Sequence, residues 1–340
     1  MEKIGIIAEY NPFHSGHAYL IKEIREKYPQ ATLITLMSGN IVQRGEFAIA
    51  DKFTRANAAI MNGIDLVIQL PIYYTLNSAD YFANGAIIIA KELGIEKIIF
   101  GSETNDLVSL EKSAKLIIKN NNKINSLVKE KGSLPKAIKE ILGRNFEAND
   151  ILGICYLKQN LLNETNIKFE TILRLKNDSF SSASQIRIDL IKEIENKNNL
   201  TKIDNLIKMD DFFDLIIGKI VSSNSEQELI KYVKKIIAKN KIKTWNQLID
   251  LCSNGSITKS RIRRTILKWF LEIENEEELR VLAFNDNGQK VLKTLKKSGI
   301  VLSNKFNKKM NNDLIIAKIL NLKIDGILDL ELNHSSKQKH

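Results

Sequence analysis

The amino-acid sequence predicts an α/β fold in which a parallel sheet with crossover helices is followed by a mainly α-helical C-terminal domain. Two observations predict it. Short β-branched runs alternate with amphipathic stretches through the first half, and after about Leu190 those runs give way to helical patterns with few Gly or Pro residues. In order, residues 4–8, 31–37, 66–70 and 97–100 read as strands, each a short apolar run. Apolar residues at helical spacing place helices at about 16–27, 52–62 and 79–93 between them. The Lys- and Asn-rich segment 109–143 is helical, interrupted by a polar turn at Asn120, Asn121 and Asn122, and Asn149-Asp150 opens a further helix with an N-cap signature. A strand at 167–175 precedes a Ser-rich helix start at 181–187. Ligands of such sheets bind beyond the carboxyl ends of the strands, so chemistry is expected in the loops after Ala8, Met37, Leu70 and Phe100.

A chain of 340 residues with 44% apolar content has enough hydrophobic material for two cores, which excludes a disordered or fibrous protein. The expected division is a sheet domain at 1–190, a basic helical domain at 191–333 and a frayed tail at 334–340. The formal net charge is +11, and nearly all of it falls in the second half. Residues 1–150 hold 18 Lys and Arg against 17 Asp and Glu, whereas residues 151–340 hold 33 against 23, which implies an acidic partner. Cys155 and Cys252 are too few for a disulfide framework or a four-thiolate zinc site and read as buried thiols. The first residues lack a signal-peptide pattern, and no apolar stretch approaches the roughly 20 residues of a membrane helix. A cytoplasmic protein without membrane contact is therefore expected.

Directly after the first strand stands Glu9-Tyr10-Asn11-Pro12-Phe13-His14-Ser15-Gly16-His17, which runs into a helix. A helix N-terminus offers free N–H groups and a positive dipole end, and Gly16 lets a nucleotide approach the backbone. His14 and His17, three residues apart, project from the first turn on the same side, where two imidazoles can stabilise charge building on an α-phosphate. They form the candidate catalytic pair. The bland readings are a capped helix start or half of a metal site. A metal site lacks its other ligands, since His334 and His340 lie in the tail and no Cys cluster exists, so no protein-bound metal is expected.

The stretch 11–17 resembles the HxGH signature of the nucleotidylyltransferase superfamily, Rossmann-like (HUP-type) enzymes that attack the α-phosphate of ATP and release pyrophosphate. Ser182-Ala183-Ser184-Gln185-Ile186-Arg187 is similar to that superfamily's second signature, in which Ser184 and Arg187 would reach the β- and γ-phosphates. A class I aminoacyl-tRNA synthetase is disfavoured, because its Lys-Met-Ser-Lys-Ser loop has no counterpart. Residues 37–46, 51–55, 62–71 and 82–86, and Arg280-Val281-Leu282-Ala283-Phe284-Asn285 with Gly288, resemble the bacterial tRNA(Met) cytidine acetate ligase family. That resemblance implies a two-step reaction. Acetate attacks ATP to give acetyl-adenylate and pyrophosphate, and the wobble cytidine of elongator tRNA(Met) then takes the acetyl group, leaving AMP and N4-acetylcytidine. ATP is a substrate in this scheme, and magnesium is expected with its phosphates.

Carried over by position, the resemblance implies ATP contacts at Ile7, Ala8, Glu9, Tyr10, Asn11, Pro12, Phe13, His14, Ser15, Gly16, His17, Ala18, Tyr19 and Leu20, and at Gly101, Asn149, Arg174 and Leu175. By themselves Gly101, Asn149 and Arg174 equally fit a strand-end glycine, an N-cap and a surface cation. Arg44, Asp51 and Arg55 have two readings: a wall of the acetate and acceptor-base pocket, or a helix cap in an ion pair one turn long. The chain departs from the family pattern after its Arg, where Lys176-Asn177-Asp178-Ser179-Phe180 stands in place of a longer Gly-rich loop. Lys259, Arg261, Arg263, Arg264 and Lys268 form the densest basic cluster and are candidate tRNA contacts, with a solvated helix face as the competing reading. Two further functions fit parts of the sequence. An adenylyltransferase for a small phosphorylated substrate leaves the basic half idle, and an RNA-binding module with a vestigial nucleotide fold leaves both phosphate signatures unexplained.

Overall fold

The structure, a computed structural model, describes residues 2–174, 182–274, 278–300, 302–303, 305–307 and 309–334. The first half runs β1 (Lys3–Ala8), α1 (Ser15–Lys27), β2 (Thr32–Ser38), a hairpin of β3 (Ile41–Val42) and β4 (Glu46–Phe47), and α2 (Lys52–Met61). It continues through β5 (Leu66–Leu70), α3 (Ile72–Thr75), α4 (Ala79–Glu92) and β6 (Lys97–Ser102). Helices α5 (Leu107–Lys119), α6 (Asn121–Lys131), α7 (Leu134–Leu142) and α8 (Ala148–Leu162) lead to β7 (Lys168–Leu173) and α9 (Ala183–Ile191). A short 3-10 turn at Met209–Phe212 opens the helices α10 (Phe213–Ser222), α11 (Glu228–Lys239), α12 (Trp245–Cys252) and α13 (Lys259–Leu271). The chain then forms β8 (Leu279–Phe284), α14 (Asp286–Lys297), β9 (Leu302–Ser303), α15 (Asn311–Asn321) and α16 (Ile327–Asn333).

Seven strands form one sheet in the order β7-β6-β1-β2-β5-β8-β9. The five strands from β7 to β5 are mutually parallel, β8 runs antiparallel to β5, and β9 is parallel to β8. From β1 the chain steps outward to β2 and β5, then returns across the sheet to β6 and β7. The order therefore reverses between β1 and β6, and the crevice beyond their carboxyl ends is where such a sheet binds ligands.

Alternate residues of each strand serve opposite faces, which is why the strands read as continuous apolar runs. On one face Ile4, Ile6, Leu33, Met37 and Val67 pack with Ile21 and Ile24 of α1 and Ala56, Ala59 and Ile60 of α2. On the other, Ile34, Leu36, Leu66, Ile68 and Leu70 pack with Phe82, Ala86 and Ile89 of α4 and Ile154 and Cys155 of α8. A third core joins α10 to α13 with α15 and α16 around the fully buried Trp245, and takes in Ile41 and Phe47 of the hairpin. Cys155 and Cys252 are buried free thiols, as the sequence implies.

The structure differs from the sequence reading in three places. The segment 191–333 is mainly helical, yet it also supplies β8 and β9 to the sheet, where β8 covers an edge of β5 that would otherwise expose unpaired N–H and C=O groups. The loop after β2 contains the β3–β4 hairpin. His334, assigned to the frayed tail, stacks on Phe53 with ring centroids 4.0 Å apart, because the end of α16 is held against α2. What holds it is a buried charge cluster. Lys52 Nζ lies 2.8 Å from Asp313 and 3.0 Å from Glu331, Arg280 pairs with both carboxylates, and Gln69 donates to Asp313 at 2.8 Å. Among the described residues no helix is long and apolar enough to cross a membrane.

Candidate active site

The loop from Glu9 to His14 connects the carboxyl end of β1 to the N-terminus of α1 and is fastened on every side. Tyr10 takes a left-handed conformation, φ 47°, and its buried hydroxyl meets Thr35 Oγ1 at 3.1 Å. Asn11 Oδ1 accepts from Ile49 N at 2.8 Å, and Phe13 is wholly buried. The outer side is braced by residues 198–201. Phe13 N donates to Thr201 Oγ1 at 2.9 Å, Leu200 N to Phe13 O at 3.1 Å, and Ser15 N to Asn198 O at 2.9 Å. Arg187 of α9 donates to Asn11 O at 2.7 Å, so the second signature is tied to the first.

His14 caps α1: its Nδ1 accepts from Gly16 N at 3.0 Å, and the Nδ1 of His17 accepts from His14 N at 3.3 Å. The capped-helix reading therefore holds alongside the functional one. The two rings stack with centroids 3.9 Å apart. Gly16 makes this possible, since a Cβ there would come within 2.9 Å of His14 Cε1. Burial, then the charges of Arg174 and Arg187, lowers the His14 pKa to about 4; burial and the neighbouring His14 and Arg174 push His17 well below the usual imidazole range. Both rings are thus neutral at pH 7. With Nδ1 accepting on each, the proton sits on Nε2, and both rings are hydrogen-bond donors there.

These rings line a cavity of about 850 Å³ at the carboxyl ends of β1 and β6. Around it the structure gathers Ile7, Ala8, Glu9, Tyr10, Asn11, Gly16, Tyr19 and Leu20 with Arg44, Gly101, Asn149, Arg174, Ser184 and Arg187. Pro12, Phe13, Ser15 and Ala18 belong to the same loop and helix but do not line it. Leu175, like Lys176–Phe180, lies outside the described residues. Asp51 and Arg55 stand apart from the cavity. Asp51 caps α2 by accepting from Phe53 N and Thr54 N, and the fully buried Arg55 donates to the carbonyls of Glu9, Ser38, Gly39 and Ala50. The cap half of the second reading is what the structure contains, with Arg55 bonded to the backbone of three loops.

Several lining groups escape the sequence reading. Glu103, just past β6, accepts from Asn149 Nδ2 at 2.5 Å and Asp150 N at 3.0 Å, capping the start of α8 beside Gly101. The apolar wall is Phe82, Phe100 and Tyr156. Glu9 accepts from Gln43 N at 2.6 Å. Burial raises its pKa, against the Gln43 bond and the charges of Arg44, Arg55 and Arg187. A Glu two residues after Gly101, at the end of the strand, was the available signal for Glu103; the aromatic wall had none beyond ordinary core periodicity.

The basic cluster of α13 is partly occupied within the protein. Arg263 pairs with Glu46 at 2.5 Å, Arg264 donates to Gln43 O at 3.4 Å, and Lys259 pairs with Asp250 at 2.6 Å. Arg263 and Arg264 thereby seat α13 on the β3–β4 hairpin, while Arg261 is exposed and Lys268 Nζ lies 6.0 Å from the Tyr73 ring centroid.

Comparison with known proteins agrees with this geometry. The family model described as HIGH Nucleotidyl Transferase matches residues 1–339. A curated tRNA(Met) cytidine acetate ligase of Clostridium novyi (strain NT) is 34% identical over 369 residues, covering 92% of each chain. Its counterpart in Fusobacterium nucleatum subsp. nucleatum is 33% identical, covering 87% of this chain and 85% of that one. The chain belongs to this ligase family, within the HIGH nucleotidyl transferases. Its fold matches that of Thermotoga maritima TmcAL bound with alpha-thio ATP, with a TM-score of 0.84 over 99% of both chains at 23% identity. The apo form of the same Thermotoga protein gives a TM-score of 0.85. The sequence resemblance to the tRNA(Met) cytidine acetate ligase family and the Rossmann-like fold class are thus both established.

Proposed function

We propose that the chain activates acetate with ATP as acetyl-adenylate, releasing pyrophosphate, and transfers the acetyl group to the exocyclic amine of the wobble cytidine in elongator tRNA(Met), leaving AMP and N4-acetylcytidine. The observation that carries this reading is the stacked pair of imidazoles at the N-terminus of α1, each accepting a backbone N–H at Nδ1, facing a cavity that also holds Arg44, Arg174 and Arg187. In this reading the α-phosphate lies against His14 and His17. As acetate attacks, charge builds on the phosphoryl oxygens, and two fixed Nε2–H donors with the positive end of α1 stabilise it without reorganisation. Ser184 and Arg187 take the β- and γ-phosphates, with the magnesium that ATP carries, and so favour pyrophosphate as the leaving group. Gly101, Asn149 and Glu103 take the adenosine, and Arg44, exposed at the cavity mouth, neutralises the acetate. Activation then belongs to 1–190, and tRNA is held by the basic residues of 191–333 in the cytoplasm, where unmodified tRNA is found. The reading is supported by the curated relatives' name, tRNA(Met) cytidine acetate ligase, and by the Thermotoga protein's structure bound with alpha-thio ATP.

The test is nucleoside mass spectrometry after incubation with ATP, acetate and unmodified elongator tRNA(Met). N4-acetylcytidine that requires both ATP and acetate is the expected product, and its absence overturns the reading. His17→Ala should slow acetate-dependent exchange of pyrophosphate into ATP by about 10²–10³-fold, and, because the ring also accepts from His14 N, it should cost about 1 kcal/mol of stability while the protein remains folded.

A further inference from the structure

Beside the cavity stand three tyrosines that the reaction above does not use. Tyr73 and Tyr74 come from α3 and Tyr81 from the first turn of α4. Their rings form one cluster, with centroids 5.6 Å apart for Tyr73 and Tyr74, 5.7 Å for Tyr73 and Tyr81, and 6.0 Å for Tyr74 and Tyr81. The Tyr73 and Tyr81 hydroxyls are 3.0 Å apart, and Tyr81 is 38% exposed. Tyr74 is locked from behind, because any Cβ on Gly85 would land on its ring. The cluster adjoins the cavity through the same helix, whose Ala79 and Phe82 line it, and through Gln43, a lining residue that donates to Asn77 O at 2.8 Å.

Tyr81 is exposed and Tyr73 and Tyr74 are half-buried beneath it, so the cluster presents an aromatic edge that a partner would cover. The surrounding charge indicates what does. Lys268 Nζ lies 6.0 Å from the Tyr73 ring centroid, Arg264 donates to Gln43 O beside the mouth, and Arg44 lines the cavity. The acidic residue of the same turn, Asp80, is engaged by Lys158 and Gln159 at 2.9 Å. Aromatic faces interleaved with cations at the edge of a nucleotide cavity suit a single-stranded nucleic acid, whose bases stack while its phosphates meet the cations. We propose that Tyr73 and Tyr81 form a stacking subsite for an unpaired nucleobase next to the one that enters the cavity, with Lys268 on the adjoining phosphate. The subsite holds the anticodon loop in register while the target base reaches the acetyl group. This rests on the reading of the chain as an RNA-acetylating ligase.

The test uses the full chain and reads RNA-free and RNA-dependent steps separately. Tyr81→Ala should leave acetate-dependent pyrophosphate exchange unchanged, which also reports a folded cavity. It should raise the KM for tRNA(Met) transcript and the Kd of its anticodon-arm hairpin about tenfold, with the salt dependence of binding unaltered. Tyr81→Phe and Tyr81→Trp keep a ring and should keep affinity. Lys268→Ala should instead flatten the salt dependence by about one phosphate contact. Unchanged RNA affinity in Tyr81→Ala with intact exchange overturns the subsite. So does an effect of Tyr81→Ala confined to self-association, measured by sedimentation, because the cluster is then a contact between copies of the chain. Failure of the unmutated protein to bind or acetylate the RNA overturns the underlying reading as well, and is seen without any variant.

Discussion

Arg55 illustrates how one side chain can shape the site without touching its cavity. It is fully buried, and its guanidinium gathers the carbonyls of Glu9, Ser38, Gly39 and Ala50, which belong to the loop after β1, the turn after β2 and the entry to α2. Burial lowers its pKa to about 10, so it remains charged at neutral pH, and its planar fork suits carbonyls arriving from several directions. Arg55→Met should strand those acceptors and cost about 3 kcal/mol, a fall in Tm of about 4 °C for a chain of this length. If Arg55 instead bound acetate, the same change would raise the KM for acetate and leave the melting curve in place. Thermal denaturation beside acetate kinetics separates the two. Sequence alone left both readings open for Arg55, because spacing shows which residues are near in the chain and says nothing about which loops converge on them.

At the level of elements, the loop that carries His14 depends on a segment nearly two hundred residues away. Thr201 Oγ1 both accepts from Phe13 N and donates to Phe13 O, closing a clasp over the loop that presents His14. Thr201→Val keeps the shape but leaves the buried Phe13 N without its acceptor, so stability should fall by about 1–3 kcal/mol. Because His14 follows directly, kcat for pyrophosphate exchange should fall about tenfold as its geometry loosens. Unchanged kcat in steady-state assays would show that α1 alone sets the ring. The elements that present chemistry were legible: β1, β2, β5 and β6 are apolar runs within the sheet, α1 is an amphipathic helix following β1, and His14 and His17 sit where such a sheet binds ligands. The β3–β4 hairpin was not, since strands of two residues have no periodicity to read. Nor was β8, whose apolar run is broken by Arg280 and stands among Lys-rich helices. The clasp at 198–201 is made of Asn and Thr in a loop, a composition that signals a turn and conceals its long-range partner.

Across the whole molecule, β8 and the Lys52 cluster join what the charge profile presents as two halves. Asp313 of α15 and Glu331 of α16 face Lys52 of α2 and Arg280 of β8, so the helical end of the chain is bonded to the sheet through charges taken almost entirely out of water. Such a cluster is costly to form and more costly to break, because removing one partner leaves the others buried and unpaired. Burial alone would raise the Asp313 pKa, but Lys52 and Arg280 hold it below the usual carboxylate range. A carboxyl depressed in the folded state contributes stability that is fully present above its unfolded pKa of about 3.9 and is lost as pH falls through the folded value. Asp313→Asn should therefore destabilise the protein by about 3–5 kcal/mol at pH 7. It should also flatten the acid side of a stability-versus-pH curve below about pH 4, because the titrating group is gone. Chemical denaturation of both proteins from pH 3 to pH 8 checks it. Parallel curves offset by a constant would mean that the folded protein does not hold the Asp313 carboxyl below its unfolded range, and coincident curves would mean that the helical half is held to the sheet by its apolar contacts instead.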